Sequence, residues 1–281
     1  MNRRCIAFLF TLAILRTASA QTLDDPASLR KLTAEKSAAI VRIRAKLKLD
    51  MAGPERFVER ELPGVVLDAA GLVLCEASPL VSSQGPLTLT LQGIQVRFES
   101  LESPRDATLV YNDESLGLAF LRLNKPASSP LPSLGLSSSK ALVPFDSSLL
   151  GHTVLTVSRL GDEFARAPLF HLTRINGILR TPRTCWSVQD GGGDLALPVW
   201  SSTGTLIGFN VVLAPTTKGD KGPSNPFATL LGRRSQGKHV VIPAQDVLTL
   251  MRKAQSKHLP KTKEQGHEHA PGKEPQHHDH R

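Results

Sequence analysis

Short apolar runs that Gly and Pro residues interrupt recur along the chain, and in several stretches, such as residues 87–98, apolar and polar residues alternate with a period of two. This alternation is typical of extended strands that bury one face and expose the other. Helical apolar stripes are scarce in the sequence. Many short strands between turn residues indicate an all-β sandwich or barrel.

The first six strands are predicted within residues 21–123, after a helix over about residues 24–39. Two apolar runs flank the turn signal at residues 68–71, which predicts a hairpin. A further turn is predicted at Gln92 and Gly93, because a polar residue and a glycine interrupt an alternating stretch there.

Residues 124–144 are rich in Pro, Ser and Gly and are predicted to form a linker. Six more strands are predicted in residues 145–258, which close with a helix whose apolar stripe is Val247, Leu250 and Met251. The remaining segment, 259–281, is polar and rich in Pro and His, which favours a disordered tail.

Residues 1–20 have the three parts of a secretory signal peptide: a basic start, the apolar core CIAFLFTLAIL, and a small-residue cleavage site that ends at Ala20. The apolar core is short for a bilayer span, and an uncleaved anchor is the alternative. No other run approaches spanning length. We therefore expect an exported protein, periplasmic or secreted, without a membrane span after signal cleavage.

The formal net charge is +9, with 21% charged and 40% hydrophobic residues. These proportions are typical of a globular protein. The Lys and Arg residues are scattered and lack interleaved aromatic residues, so a nucleic-acid partner is not expected.

Two cysteines, Cys75 and Cys185, remain after removal of the signal peptide. An even number of cysteines in an oxidising compartment allows a disulfide. The alternative is that both are small, buried, apolar side chains. The sequence leaves this choice open.

Three phrases, in their order along the chain, resemble the chymotrypsin-like serine proteases, and in particular the exported Deg/HtrA branch. GVVLDAAGLVLCEASPLV is similar to the segment that presents the family's histidine, ATLVYNDESLGLAFLRL to the aspartate segment, and GGGDLALPVWSSTGTLIGF to the serine segment. VVIPAQDVLTLM resembles the last strand and closing helix of that branch. The resemblance covers about residues 35–255. It implies a chymotrypsin-like double β-barrel with short N-terminal and C-terminal helices.

PDZ domains usually follow the closing helix in that branch. Only about 25 residues follow the helix in this sequence, too few for such a domain, so none is expected. The oligomeric state is left open.

The resemblance carries the three catalytic positions onto residues that lack the necessary chemistry. The histidine's place falls on Ser78, the aspartate's on Gly117 and the serine's on Leu195. A nucleophile needs an oxygen or sulfur, and its base must exchange a proton near neutral pH. We therefore expect a degenerate triad.

The expected peptide groove lies around Leu195 and includes Gly193, Asp194, Ala196 and Leu197. Ala196 and Leu197 replace family glycines, and a side chain disfavours the positive φ that directs N–H groups into an oxyanion hole. In the family, the groove between the barrels adds a peptide as an extra strand, and this does not need the triad. The alternative is that Leu195 and Leu197 complete a core that no ligand enters.

The main hypothesis is an exported trypsin-like pseudoprotease, a binding or scaffold module for a peptide or protein partner, with no required cofactor. A second hypothesis is an active trypsin-like serine endopeptidase with a relocated triad. Its candidate nucleophiles are Ser187 and Ser201, but neither has the family's flanking glycines. The strand histidines lie in the second strand set, whereas the family's base comes from the first; they are His152, His171 and His239.

A third hypothesis is metal binding by the tail, because clustered neutral imidazoles suit Zn, Ni and Cu. The candidate ligands are His267, His269, His277, His278 and His280. The alternative is a solvated low-complexity tail that binds metal only incidentally.

Overall fold

The structure is a computed structural model of the chain. It describes residues 25–50, 55–80, 83–84, 87–99, 101, 103–125, 129–136, 142, 144–189, 193–213 and 238–257. The predicted signal peptide and the His-rich tail lie outside these residues. The described residues form two closed six-stranded antiparallel β-barrels with one short α-helix near each end, which confirms the predicted double β-barrel.

The first barrel follows the N-terminal helix. Its strands are β1 (Ile40–Asp50), β2 (Arg56–Val66), β3 (Leu72–Glu76), β4 (Ser83–Gln84), β5 (Leu87–Arg97), β6 (Arg105–Asp113) and β7 (Leu118–Leu123). The sheet order is β1-β2-β3-β7-β6-β5, closed by pairing of β1 with β5, and the short β4 adds to β5. Val41, Ile43 and Ala45 on β1 are buried inside this barrel, as the alternation predicts.

The turn predicted at Gln92 and Gly93 is wrong, because β5 runs through both residues. The register against β1 shifts at this point: Lys46 pairs with Gly93, whereas Leu47 pairs with Leu91. Gln92 is therefore the extra residue of a β-bulge, which bends a strand without ending it. A polar residue followed by glycine is compatible with either a turn or a bulge. The bulge forms here because β5 must continue across β1 for the barrel to close.

The second barrel contains the second predicted set of six strands. They are β8 (Thr153–Arg159), β9 (Pro168–Leu179), β10 (Cys185–Val188), β11 (Pro198–Ser201), β12 (Leu206–Leu213) and β13 (Lys238–Pro243). The closed order is β10-β13-β12-β11-β8-β9. Single-turn 3₁₀ helices occur before β8, at Ser147–Leu149, and between β8 and β9, at Asp162–Phe164.

Apolar side chains fill each barrel and also the seam between the two barrels. The seam cluster takes residues from both barrels and both helices; among them are Leu72, Leu74, Phe120, Leu155, Val157, Phe209 and Met251. The interior of the second barrel is a separate cluster that includes Val154, Ile175, Trp186 and Val241. Strands that contribute to both an interior and the seam are apolar on both faces, which holds the two barrels together.

The N-terminal helix α1 (Pro26–Ser37) begins at Asp25, close to the predicted start. The Asp25 carboxylate accepts hydrogen bonds from the main-chain N–H groups of Ala27 and Ser28, and these bonds cap the helix. The same bonds hold the pKa of the Asp25 carboxyl below its usual value, the Ser28 interaction most of all.

The C-terminal helix α2 (Ala244–Lys257) buries the predicted stripe of Val247, Leu250 and Met251 in the seam cluster. In the part of the chain that the structure describes, neither helix combines the length and apolar character needed to cross a membrane.

Part of the predicted linker packs on the first barrel. Leu131 and Leu136 are buried. The main-chain N–H of Leu134 donates to the carbonyl oxygen of Val66 at 2.9 Å, and that of Leu136 donates to Leu67 at 3.1 Å. These bonds attach the connection to the end of β2.

Candidate functional site

The fold brings together the places that the resemblance assigns to the histidine and the aspartate. The main-chain N–H of Ala77 donates to the carbonyl oxygen of Gly117 at 2.8 Å. Ser78, next along the chain, is exposed, and its hydroxyl donates to the carboxylate of Glu76. The exposed hydroxyl therefore stands beside the aspartate's place but has no base or acid chemistry to offer there.

Gly117 is a turn residue with φ of +63°. A Cβ atom placed there would meet no atom within 4 Å, so the space beside it is open. The nearby Asp113 carboxylate is used by its own turn, where it accepts from the Ser115 hydroxyl at 2.6 Å and from the Leu116 N–H at 3.1 Å. The glycine at this place supplies no carboxylate, and its positive φ disfavours any side chain there although the space beside it is open.

The segment around Leu195 borders the seam cluster. Leu195 is half-buried, whereas Ala196 and Leu197 are fully buried in the seam cluster. Of the two alternatives for these leucines, Leu197 completes a core and Leu195 remains partly accessible. Ala196 has φ of +60°, so this position keeps the left-handed conformation despite its side chain, contrary to the expectation from sequence.

Asn210 on β12 holds this segment in place, a role that the sequence pattern did not predict. Its side-chain Nδ2 donates to the carbonyl oxygens of Gly193 and Asp194, each at 3.1 Å. Its main chain accepts from the Ala196 N–H at 2.7 Å and donates to the Leu197 carbonyl at 2.9 Å. A single buried amide in the apolar strand LIGFNVVL is the signal that could have identified it.

A polar group of side chains lies in the second barrel beneath this segment. The Ser158 hydroxyl donates to the Asp194 carboxylate at 2.5 Å. His171 and Thr156 face each other on β9 and β8, and a Cβ atom at Gly193 would lie 3.4 Å from His171 Cβ. The His171 Nε2 and Thr156 Oγ1 atoms are buried without a hydrogen-bond partner among the described residues.

The two serines considered as relocated nucleophiles have other partners. The Ser187 hydroxyl donates to the Asn176 side-chain oxygen at 2.7 Å. The Ser201 hydroxyl lies 2.8 Å from that of Thr203. Neither contact supplies the imidazole that would activate a serine.

Cys75 and Cys185 carry free, fully buried thiols, so the disulfide is not formed in this structure. Cys75 lies inside the first barrel and Cys185 in the seam cluster. Burial raises the pKa of both thiols, because desolvation disfavours the thiolate. They behave as small apolar side chains.

No group of three or more His, Cys, Asp or Glu side chains within the described residues is arranged to hold a metal ion. The five tail histidines proposed as ligands lie outside the described residues. Metal binding by the tail therefore stays a prediction.

No protein-family model matches the sequence, and no curated protein is significantly similar to it. The class of protein is therefore defined by its architecture: a double β-barrel with short flanking helices, an arrangement consistent with the chymotrypsin-like fold.

Proposed function

We propose that the chain is an exported trypsin-like pseudoprotease, which binds an extended peptide or protein segment and does not cleave it. One observation carries the proposal. Ala77, the residue before the aligned histidine's place, is hydrogen-bonded to Gly117. The aligned histidine and aspartate places nevertheless hold Ser78 and Gly117, and the aligned nucleophile is Leu195. A hydrocarbon side chain cannot attack a carbonyl, and the proposal needs no cofactor.

The main chain of Val212 on β12, which has no partner among the described residues on its β11 side, supports the binding part of the proposal. The N–H and C=O of Asn210 both point toward the segment of Ala196 and Leu197. Main-chain groups of alternate residues point to the same side of a strand, so those of Val212 point the same way. The pairing of β12 with β11 ends at Phe209, and no described residue pairs with Val212 on that side. A peptide could add there as a strand.

Leu195 supplies an apolar contact beside this edge. It is half-buried and follows Gly193 and Asp194, whose carbonyl oxygens accept hydrogen bonds from the Asn210 side chain. An apolar side chain of the peptide that covers Leu195 would remove its own surface and that of Leu195 from water. Main-chain hydrogen bonds to Val212 would set the direction of the peptide.

A displayed peptide library tests the proposal, with affinities of selected peptides measured by fluorescence polarisation. Val212→Pro removes the N–H that would bond the peptide and takes no bond from the β13 ladder, because that N–H points away from β13. We expect at least tenfold weaker binding than for the matched control Val212→Ala. Equal affinities for the two variants, both folded by circular dichroism, would refute binding at this edge.

A fluorophosphonate probe and a fluorogenic peptide panel test the absence of catalysis. We expect neither labelling nor cleavage. Labelling that is lost in Ser187→Ala or Ser201→Ala would instead establish an active enzyme with a relocated nucleophile.

A further inference from the structure

A second candidate site lies on another part of the molecule, where β1, β2 and β5 of the first barrel meet the 3₁₀ turn Asp162–Phe164 of the second. It is a cavity of about 70 Å³. One water molecule needs roughly 10–15 Å³ on the same measure, so a larger ligand fits. The charged residues that line it are Arg42, Arg44, Arg97, Glu61 and Asp162.

Two arginines in this cavity have unused hydrogen-bond donors. The Nε and Nη2 atoms of Arg44 both donate to the same Glu61 oxygen, at 3.0 and 2.7 Å. By contrast, the Nε atoms of Arg42 and Arg97 are buried and have no hydrogen-bond partner in the described part of the chain. A buried donor without a partner is unfavourable, and a ligand oxygen would relieve this.

Asp162 occupies part of the cavity as an internal counter-ion. One of its oxygens lies 2.6 Å from Arg97 Nη1 and 3.5 Å from Arg44 Nη2, and the other lies 3.5 Å from Arg166 Nε. Three guanidinium groups therefore share one carboxylate. In the lining, three arginines face two carboxylates, so the positive charge exceeds the negative charge.

The turn that carries Asp162 is intrinsically unfavourable. Ala165 and Arg166 are consecutive non-glycine residues with φ of 51° and 54°, in the left-handed region. The ion pairs of Asp162 to the first barrel help to hold this conformation. A stronger anion could replace Asp162 in the cavity without disrupting a favourable turn.

We propose that this cavity binds a tetrahedral oxyanion, phosphate or sulfate, in competition with Asp162. The planar guanidinium edge matches such an anion through paired N–H donors, and the three arginines of the lining supply such edges. The cavity shares no residue with the places aligned to the triad, so this proposal stands apart from the proposed peptide site.

Isothermal titration calorimetry of the full chain tests the proposal. The titrants are sodium sulfate, inorganic phosphate and O-phosphoserine, with sodium chloride at matched ionic strength as the reference. We expect saturable one-to-one binding of sulfate and phosphate but not of chloride. Binding of phosphoserine as tight as that of phosphate would indicate that the group is recognised on a larger molecule. The absence of saturable binding by any of the three would overturn the proposal.

Variants locate the site. We expect Arg97→Gln to weaken binding at least tenfold, because it removes an unused donor together with its charge. Arg56→Gln removes the same charge from an exposed position at the start of β2 and should bind like the unmodified chain. Equal affinities of these two folded variants for the anion would show that the anion does not bind in this cavity.

Asp162→Asn keeps the size of the side chain, removes the competing charge and should tighten binding several-fold. It does not depend on the folding of an arginine variant. Unchanged or weaker binding by Asp162→Asn would overturn the competition with Asp162.

Discussion

The main-chain N–H of Ala77 donates a 2.8 Å hydrogen bond to the carbonyl oxygen of Gly117. Ala77 precedes the residue aligned with a catalytic histidine, and Gly117 is aligned with the aspartate. The bond belongs to the main chain, so it persists whatever side chains occupy these places. The fold therefore holds these two segments together whatever side chains they carry.

A serine at position 195 alone should not confer activity. We expect Leu195→Ser to show no more fluorophosphonate labelling or peptide cleavage than Leu195→Ala, because Ser78 cannot act as the base and Gly117 cannot orient one. Mass spectrometry of the labelled protein measures this directly. Labelling at residue 195 in the serine variant would show that another base, such as the half-buried His171, reaches it.

Asn210 should be essential for stability. Asn210→Ala leaves the carbonyl oxygens of Gly193 and Asp194 without their side-chain donor, which should lower the free energy of unfolding by about 2–3 kcal/mol. Urea denaturation measures the loss. Gln245→Ala, an exposed position on α2, should change stability by less than about 0.5 kcal/mol. A loss in Asn210→Ala no larger than in this control would contradict the role of Asn210.

A side chain at Gly193 should be strained by the backbone conformation. Gly193 has φ of +86°, which disfavours a side chain, so Gly193→Ala should destabilise the protein by about 1–2 kcal/mol, although the added Cβ would make only van der Waals contact with His171 Cβ at 3.4 Å. Gly93→Ala is the matched control, because Gly93 has no positive φ and no atom within 4 Å of an added Cβ. Thermal unfolding of both variants compares them, and equal melting temperatures would be inconsistent with this account.

Stability should fall in alkaline solution because of the buried thiols. Burial raises the pKa of Cys75 in the folded state, so the unfolded state loses this proton first as the pH rises. The contribution is fully present below the ordinary thiol pKa of 9.0 and is lost above it. Each buried thiol should lower the free energy of unfolding by up to about 1.4 kcal/mol per pH unit in that range.

Urea denaturation between pH 8 and pH 10.5 measures this slope. Cys75→Ala should have a shallower slope than the unmodified chain, whatever its stability at pH 8. Parallel slopes would show that the Cys75 thiol does not contribute.

Local pattern was sufficient for most of the fold. Alternation along β1 predicted a strand because neighbouring side chains of a strand face opposite sides, whatever the partner strand is. The apolar stripe on α2 predicted its buried face, because residues three and four positions apart lie on the same face of a helix. The bulge at Gln92 could not be predicted, because a bulge is defined by the register against β1, which lies more than forty residues earlier in the chain.

For the candidate site, the sequence by itself determined which side chains occupy the aligned positions, and hence that Leu195 offers no attacking oxygen. Only the tertiary structure decided that Leu197 is buried while Leu195 is not, that Asn210 holds the Leu195 segment, and that Asp162 enters an arginine cavity of the other barrel. Side-chain identity is a property of one position. Burial and pairing depend on which distant segments the closed barrels bring into contact.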